Sequence, residues 1–306
     1  MNAKINLLYV PYSAFMFILI VLLLKSILHI DVVPQTVPEF VIYIYNTGLM
    51  DSIDESMQDL EDTYTKISTC LVDTSSSKEE IIHLYNEVTN APVCSIANRH
   101  FNSLADCFNS YEQQLSEIQE AISLYEENYN KCLDLISNIP SFSTLRDKKY
   151  NEFIDRFDVQ YEFICQKKHN YHEDREELFS LYVDAKQIAD DLFNEYYTLM
   201  CHIVYAEAGI CPFTERCYVA NVVENRIASN RYPNTIYGVV YDSGQYEPVM
   251  TGSINNQPSQ SVKRDMQLYL RGHVETGMPS NIVYQALFRQ GSGTWKHMPS
   301  GHYFCY

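Results

Sequence analysis

The chain has 306 residues, 46% of them hydrophobic, which is enough for one or two domains with a sizeable core. Its formal net charge of −17 is uneven: residues 1–197 carry 14 basic against 32 acidic side chains, and residues 198–306 carry 8 against 7. The acidic excess therefore marks a boundary near residue 197 and belongs to a solvated part of the chain. The sequence has no basic stripe to contact phosphates, which argues against nucleic acid as a partner.

The amino-terminal segment has the features of a membrane anchor. Residues 5–24 contain no charged side chain, and as a helix they would span about 30 Å, enough to cross a bilayer. The alternative is a cleaved signal peptide, but the following SILHIDVV offers no small-residue cleavage site. We predict a transmembrane signal anchor over residues 1–30. Lys4 and Lys25 flank the segment on both sides, so charge alone leaves its orientation open.

Residues 31–50 contain Pro34 and Pro38 and are predicted to form a linker. Residues 51–197 then show apolar side chains at alternating spacings of four and three, which is typical of long packed helices. The segment DTSSSKEE, residues 73–80, is predicted to end one helix and begin another. A helix over 98–137 and a second long helix beyond Pro140 are predicted to fold back on each other. The whole region is interpreted as an all-α antiparallel coiled-coil stalk, with Lys168 and Arg175 as polar interruptions of its seam.

Residues 198–306 differ in character, because glycines and prolines appear and the charge balances. They predict a compact α+β domain whose first helix either continues the stalk helix or joins it at a kink near residue 197. The predicted elements after that helix are a helix over 215–229 capped by Thr214, a short helix in NTIYGVVYD, a turn and strand in SGQYEPVMTG, a helix over 260–272 and two short terminal strands.

One acidic residue lies on an apolar helix face in this domain. Met200, Ile203, Val204 and Glu207 share one side of the predicted helix. A carboxyl group among apolar side chains has its charged form disfavoured, so its pKa rises and it can act as a general acid. Glycosidic bond cleavage needs such a group. The alternative is an ordinary half-exposed glutamate near a helix end.

The nine cysteines are scattered and show no CxxC or Cys/His spacing, so the sequence predicts neither a metal site nor a cofactor. Four of them lie in the last domain: Cys201, Cys211, Cys217 and Cys305. They form either one or two disulfides or small buried apolar contacts. A nucleophilic role for Cys201 or Cys211 with His273 or His302 is a further alternative, but neither cysteine lies in a recognisable nucleophile motif.

Four blocks in order carry a family resemblance. The string VYAEAGICPFTERCYVANVVENRIASNRYPNTIYGVVYDSGQYEPVMTG and the terminal GHYFCY closely resemble the SleB-type cell-wall hydrolases. The family pattern runs approximately YAEARGEPYEGQVAVAAVVLNR, FPNTI..VVY, GQF.PV and G.H.F. The resemblance covers residues 198–306 and implies a fold like that of lysozyme and the lytic transglycosylases. It departs at Gly209, Ile210 and Cys211, where the family has R-G-E, so the family's second glutamate is missing.

The resemblance places the family's catalytic acid on Glu207. It implies cleavage of the MurNAc–GlcNAc bond of peptidoglycan with formation of a 1,6-anhydro sugar. One carboxyl group suffices if the sugar's own C6 hydroxyl attacks, because the acid can then act as base. Glu224 and Glu247 are the other available carboxylates, and both are predicted to be exposed or at the rim of the site.

Five further residues are predicted to contact substrate. Gln245 and Tyr246 are expected to line the cleft. Asn225 either hydrogen-bonds in the site or fixes a helix end, and Trp295 either stacks on a sugar or lies in the core. His302 matches the family's terminal histidine and serves either catalysis or packing.

These features together predict a single-pass protein of the bacterial cytoplasmic membrane whose last domain faces the cell wall. Its expected partners are peptidoglycan glycan strands, the membrane, and a regulatory membrane protein bound by the coiled coil. Two alternatives remain open at this point. One is an N-acetylmuramoyl-L-alanine amidase; the other is a coiled-coil scaffold with a glycan-binding, weakly active hydrolase domain.

Overall fold

The computed structural model describes residues 37–139 and 144–306. The segment predicted to anchor the chain, residues 1–30, lies outside the described residues. Among the helices of residues 37–139 and 144–306, we find none with a stretch long and apolar enough to cross a bilayer.

The described chain is mostly helical, with one small sheet near its end. The long helices are α1 (Val37–Thr89), α2 (Cys94–Ser137) and α3 (Thr144–Ala208). Shorter helices follow: α4 (Phe213–Ile227), α5 (Ile236–Tyr241), α6 (Glu247–Thr251), a 3₁₀ turn (Ser253–Asn255) and α7 (Gln260–Leu270). The strands are β1 (Tyr284–Ala286), β2 (Thr294–His297) and β3 (Tyr303–Cys305).

Helix α1 corrects two predictions. It begins at Val37, so most of the predicted linker 31–50 is helical, with Pro38 in the first turn, where proline is tolerated. It also passes without a break through residues 73–80. The hydroxyl groups there bond back to carbonyls one turn earlier, such as Ser75 Oγ to Leu71 O at 3.0 Å and Ser76 Oγ to Val72 O at 3.3 Å. These side chains therefore bond within the helix and do not cap a new one.

The described residues up to Thr69, together with Gln119–Lys167, form one compact unit. Within it, the rings of Tyr129 on α2 and Tyr161 on α3 stack with centroids 4.4 Å apart. Tyr125 donates to Gln160 Oε1 at 3.1 Å and Tyr129 to Asp158 Oδ1 at 3.4 Å, so residue numbers rise along one helix and fall along the other, as in the predicted antiparallel pair. Helix α1 is a third member, since Arg156 Nε on α3 lies 2.9 Å from Glu61 Oε1.

The second compact unit comprises Cys70–Ile118 and Lys168–Tyr306. Its helices α2 and α3 are again antiparallel, with Phe108 stacked on Tyr182 at 4.9 Å and Asn98 Nδ2 donating to Ala189 O at 3.2 Å. The interruption at Arg175 has a partner, because its Nε lies 2.9 Å from Glu112 Oε1 on α2.

This second unit also contains the predicted hydrolase domain. Of the two alternatives at residue 197, the structure has the uninterrupted helix, because α3 runs from Thr144 to Ala208. The apolar core of this part draws on the long helices as well as the last hundred residues: Val93 and Cys94 from the start of α2 and Tyr196 from α3 are buried in it. Its other buried members include Met200, Ile203 and Val204 of α3, Val219, Val222 and Val223 of α4, Val239, Val240, Met266, Leu270 and Phe304.

The last hundred residues match the predicted elements in part. Helices α5 and α7 lie where predicted, and α4 begins at Phe213 with Thr214 inside its first turn. The segment SGQYEPVMTG was predicted as turn and strand but contains α6, whose second residue is Pro248. The terminal region has three strands where two were predicted. They form an antiparallel sheet in the order β1–β3–β2, and Gly291 turns the chain after β1 with φ of 67°.

Glu224 joins α4 to the first turn of α2. The prediction that it is exposed is wrong, because only 1% of the residue is accessible. Its carboxylate accepts hydrogen bonds from Ser95 N at 2.8 Å, from the Ser95 hydroxyl, and from Tyr269 OH at 2.7 Å. Burial raises the pKa of Glu224, and the Ser95 and Tyr269 donors oppose that rise. Glu224 thus accepts a hydrogen bond from the Ser95 N–H group in the first turn of α2, where a helix has no backbone partner of its own for that group.

We predict that Glu224→Ala lowers the free energy of unfolding by about 3 kcal/mol, because it leaves three buried donors without an acceptor. The single tryptophan, Trp295, lies in this unit and reports its unfolding by fluorescence during urea titration. Glu247→Ala is the matched control, since Glu247 is exposed, and should change stability by less than about 0.5 kcal/mol. Equal effects of the two substitutions would contradict the role assigned to Glu224.

Candidate active site

Glu207 lies in the last turn of α3, one residue before the helix ends at Ala208. The residue is half-buried and lines a cavity of about 620 Å³. The opposite walls come from the segment around α6 and from β1 with the turn after it. The other lining residues are Ala206, Gly244, Gln245, Glu247, Pro248, Met250, Thr251, Ser253, Gln285, Ala286, Leu287, Phe288, Gln290 and His302.

Burial is the largest influence on the Glu207 carboxyl group, and it raises the pKa above the ordinary value of 4.5. The charges of His302 and Arg226 and the amide of Gln285 lower that pKa, while the charge of Glu247 raises it further. The net effect is a raised pKa, which favours proton retention relative to an exposed glutamate. Within residues 37–139 and 144–306, Glu207 has no ion pair with a lysine or arginine closer than 4.0 Å. The carboxyl group is therefore set up to hold and release a proton.

Arg226 and Tyr246 are almost fully buried near Glu207. Arg226 Nε donates to Val283 O at 2.7 Å, and its guanidinium carbon lies 4.8 Å from the centre of the Tyr246 ring. Burial raises the pKa of Tyr246 to about 12, so its hydroxyl is a neutral donor. Arg226 Nη1, the Tyr246 hydroxyl and both amide atoms of Gln285 are buried and make no hydrogen bond of 3.5 Å or less to another described residue. Such buried groups could hydrogen-bond a polar substrate or water.

The structure brings some predicted site residues to Glu207 and leaves others away from it. Gln245 and His302 line the same cavity, and Tyr246 lies buried beside it. Asn225 instead lines a separate cavity of about 320 Å³. Its amide donates to Pro279 O and Ile282 O, both at 2.9 Å, and so fixes the segment before β1.

Trp295 does not line the cavity of Glu207. It lies on β2 and packs edge-on against Tyr218, with the ring centres 5.2 Å apart. Lys296 Nζ, the next residue, lies 5.3 Å from the centre of the indole ring. The half-buried indole thus contacts the core, the second of the two alternatives for this residue.

Two residues near the site escaped sequence reasoning. Gln285 lies on β1, in a segment where the quoted motifs have no block. Glu215 lies in the first turn of α4, is 1% exposed and hydrogen-bonds both His302 Nδ1 and the Ser300 hydroxyl. The helical spacing indicates the burial of Glu215, because Glu215 precedes Val219 by four residues and Val222 by seven on the buried face of α4. His302 is 87 residues away, so spacing could not predict the contact.

Side chains able to hold a metal ion lie together beside this contact. The Cys211 sulfur, a Glu215 carboxylate oxygen and a His302 ring nitrogen all lie within 4.8 Å of one another. All three residues are buried. No spacing pattern in the sequence predicts such a group.

The cysteines of the last domain are unpaired and buried. Burial raises the pKa of the Cys201 thiol to about 11. Burial also raises the pKa of the Cys211 thiol, and the nearby Glu215 charge adds to the rise. Neither is therefore a ready thiolate, which disfavours a cysteine nucleophile.

Comparison with known proteins finds similarity in the carboxy-terminal part of the chain. Residues 212–302 match the model of the Cell Wall Hydrolase family, and the carboxy-terminal part of the chain is a SleB-type segment. A curated relative, the spore cortex-lytic enzyme of Bacillus cereus, is 32% identical over 86 residues, which is 28% of this chain. The match spans about a third of that relative's length, 32%.

A solved structure is also similar to this segment. It is the catalytic domain of the Bacillus cereus SleB protein, which is 26% identical, with a TM-score of 0.31. The alignment covers 37% of this chain and 91% of that domain.

Proposed function

We propose that the chain is a peptidoglycan hydrolase that cleaves the glycosidic bond between MurNAc and GlcNAc, with Glu207 as the proton donor. The observation that carries the proposal is the half-buried Glu207 carboxyl group in a cavity of about 620 Å³, with its pKa raised by burial. The cell wall hydrolase match over residues 212–302 supports the substrate class. A lysozyme-like arrangement of this domain is part of the proposal.

The proposed reaction uses one carboxyl group twice. Protonated Glu207 donates its proton to the leaving oxygen as positive charge develops at the sugar carbon. The C6 hydroxyl of the MurNAc ring then attacks that carbon, and the Glu207 carboxylate accepts the hydroxyl proton. The bond to the leaving sugar breaks, a 1,6-anhydro ring forms, and Glu207 returns to its protonated state.

The positions of the other carboxylates support a single acid. Glu224 is buried and already accepts three hydrogen bonds, so it is not available to the cavity. Glu247 lines the cavity with an exposed side chain. We assign Glu247 an electrostatic effect on Glu207 and no proton transfer of its own.

The cavity walls suit a sugar polymer. Met250, Leu287 and Phe288 are 67%, 68% and 63% exposed and line the cavity, so they can contact the apolar faces of sugar rings. Gln245, Gln285 and His302 add polar groups for the hydroxyl and N-acetyl substituents. Tyr246 is buried beside the cavity and contacts Arg226, whose charge lowers the pKa of Glu207. In this proposal Asn225 and Trp295 do not contact substrate, and they stabilise the segments next to the cavity wall.

The proposal extends to location. If residues 1–30 anchor the chain in the cytoplasmic membrane, activity on peptidoglycan requires residues 198–306 on the outer side and the amino terminus inside. The helices between them would then connect the anchor to the catalytic segment. They also offer a surface for a regulatory membrane partner. The alternative, a scaffold with a glycan-binding segment, would not need a proton donor. The Glu207 site has the features of a proton donor, which favours the enzyme.

We predict that Glu207→Gln lowers the release of muropeptides from purified sacculi by at least about 100-fold, because the amide cannot donate the proton. Glu247→Gln is the matched control, since it makes the same change in the same cavity. It should retain activity within about tenfold of the unchanged protein. A Glu207→Gln protein that keeps full activity, or an equal loss in both variants, would refute the single-acid assignment.

We also predict that mass spectrometry of the released products shows 1,6-anhydro-MurNAc ends. The internal hydroxyl attack leaves no water in the product, whereas hydrolysis adds one water per cleaved bond. An amidase would leave intact glycan strands and free peptides. Reducing MurNAc ends would keep Glu207 as the acid but exclude the internal attack, and free peptides alone would exclude the glycosidase.

A further inference from the structure

A buried group of three side chains lies next to the catalytic cavity, and two of them, Cys211 and Glu215, have no role in the proposed reaction. Cys211 lies in the turn between α3 and α4, Glu215 in the first turn of α4, and His302 just before β3. They are 8%, 1% and 9% exposed, and their thiol, carboxylate and imidazole atoms lie within 4.8 Å of one another. Three separate elements therefore present one sulfur, one oxygen and one nitrogen ligand to a common point.

We propose that Cys211, Glu215 and His302 form a binding site for one divalent cation of the zinc class. Thiolate, imidazole and carboxylate are the ligands that zinc uses, and three protein ligands with one open position are a common set. Ligand atoms about 2.0 to 2.3 Å from a tetrahedral ion lie roughly 3.3 to 3.8 Å apart. The three ligand atoms lie within 4.8 Å of one another, so only small side-chain shifts are needed for all three to bind one ion. This site goes beyond the proposed glycan chemistry and does not depend on it.

The local charges also favour a cation. Glu215 is a buried carboxylate whose side-chain partners are the Ser300 hydroxyl and His302. The nearest arginine in sequence, Arg216, is bound elsewhere, with Nη1 2.8 Å from Asp265 Oδ2. Within the described chain, no lysine or arginine forms an ion pair with Glu215. A thiolate and a carboxylate together carry two negative charges, which a divalent ion would balance.

Binding requires a defined movement of protons. The Cys211 thiol loses its proton to solvent as the sulfur–metal bond forms. The ring nitrogen of His302 that bonds the ion gives up its proton, which passes to solvent or to the other ring nitrogen. The Glu215 carboxylate exchanges its bond from His302 for a bond to the ion. The Ser300 hydroxyl, which already contacts Glu215, or a water can fill the fourth position.

A bound ion would connect three parts of the catalytic segment. It would tie the turn after Glu207 to α4 and to the start of β3. It would also fix the ring of His302, which lines the cavity of Glu207. The expected role is therefore structural, next to the proton donor and not on the substrate.

The test is a titration of the reduced, metal-free full-length chain with Co²⁺, followed by absorption of the cobalt–thiolate charge-transfer band. We expect the band to saturate at one equivalent and to disappear when Zn²⁺ is added. Cys211→Ser should abolish it. Cys217→Ser is the matched control, because Cys217 is equally unpaired and 1% exposed but lies outside the group, and it should leave the band unchanged.

Circular dichroism of each variant shows whether it folds. If Cys211→Ser fails to fold, Glu215→Gln provides the second arm and should weaken Co²⁺ binding by at least about tenfold. A missing band at one equivalent, a band that persists in Cys211→Ser, or unchanged affinity in Glu215→Gln would overturn the proposal. The assay contains no glycan, so its failure leaves the Glu207 assignment untouched, and a failed Glu207 test leaves the metal site untouched.

Discussion

The proposed function depends on one physical constraint, the partial burial of the Glu207 carboxyl group. Removing Glu207 from water raises its pKa, and the charges of His302 and Arg226 work against that rise. Arg226 lies too far away to form an ion pair, because its Nε is bonded to the Val283 carbonyl and its guanidinium packs on Tyr246. The Arg226 charge therefore limits the rise in the pKa of Glu207 but does not fix the side chain as a carboxylate in an ion pair.

The long helices are part of the fold around Glu207 as well as of the predicted stalk. Helix α3 carries Glu207 in its last turn, and the start of α2 supplies Val93 and Cys94 to the core around it. Glu224 fixes α4 to the first turn of α2 through Ser95. A change in the packing of α2 against α3 would therefore reach the position of Glu207 through continuous backbone. This gives the proposed regulatory partner a physical route to the site.

Periodicity predicted the elements whose apolar side chains repeat regularly. The helix over 98–137 and the antiparallel packing of α2 and α3 follow from spacings of four and three, and α5 and α7 from local signals. Residues 73–80 misled because serine and threonine favour caps, yet inside α1 their hydroxyl groups bond to the preceding turn. Likewise SGQYEPVMTG looks like a strand between glycines, but Pro248 starts the short helix α6.

The site was predictable to the extent that it is local. Glu207 could be found from its place on an apolar face, and Gln245, Tyr246 and His302 from the family blocks that contain them. Glu224 was misread because its partners, Ser95 and Tyr269, are 129 and 45 residues away. The group of Cys211, Glu215 and His302 is equally non-local. Such contacts depend on tertiary packing, which hydrophobic spacing does not encode.

The most direct test of the account is the titration of the Glu207 side chain itself. Carbon-detected NMR of the chain labelled at glutamate carboxyl carbons, with Glu207→Gln to identify the resonance that disappears, gives its midpoint. The account predicts a midpoint above the ordinary glutamate value of 4.5. A midpoint at or below that value would show that the neighbouring positive charges outweigh burial, and would contradict the role of Glu207 as proton donor.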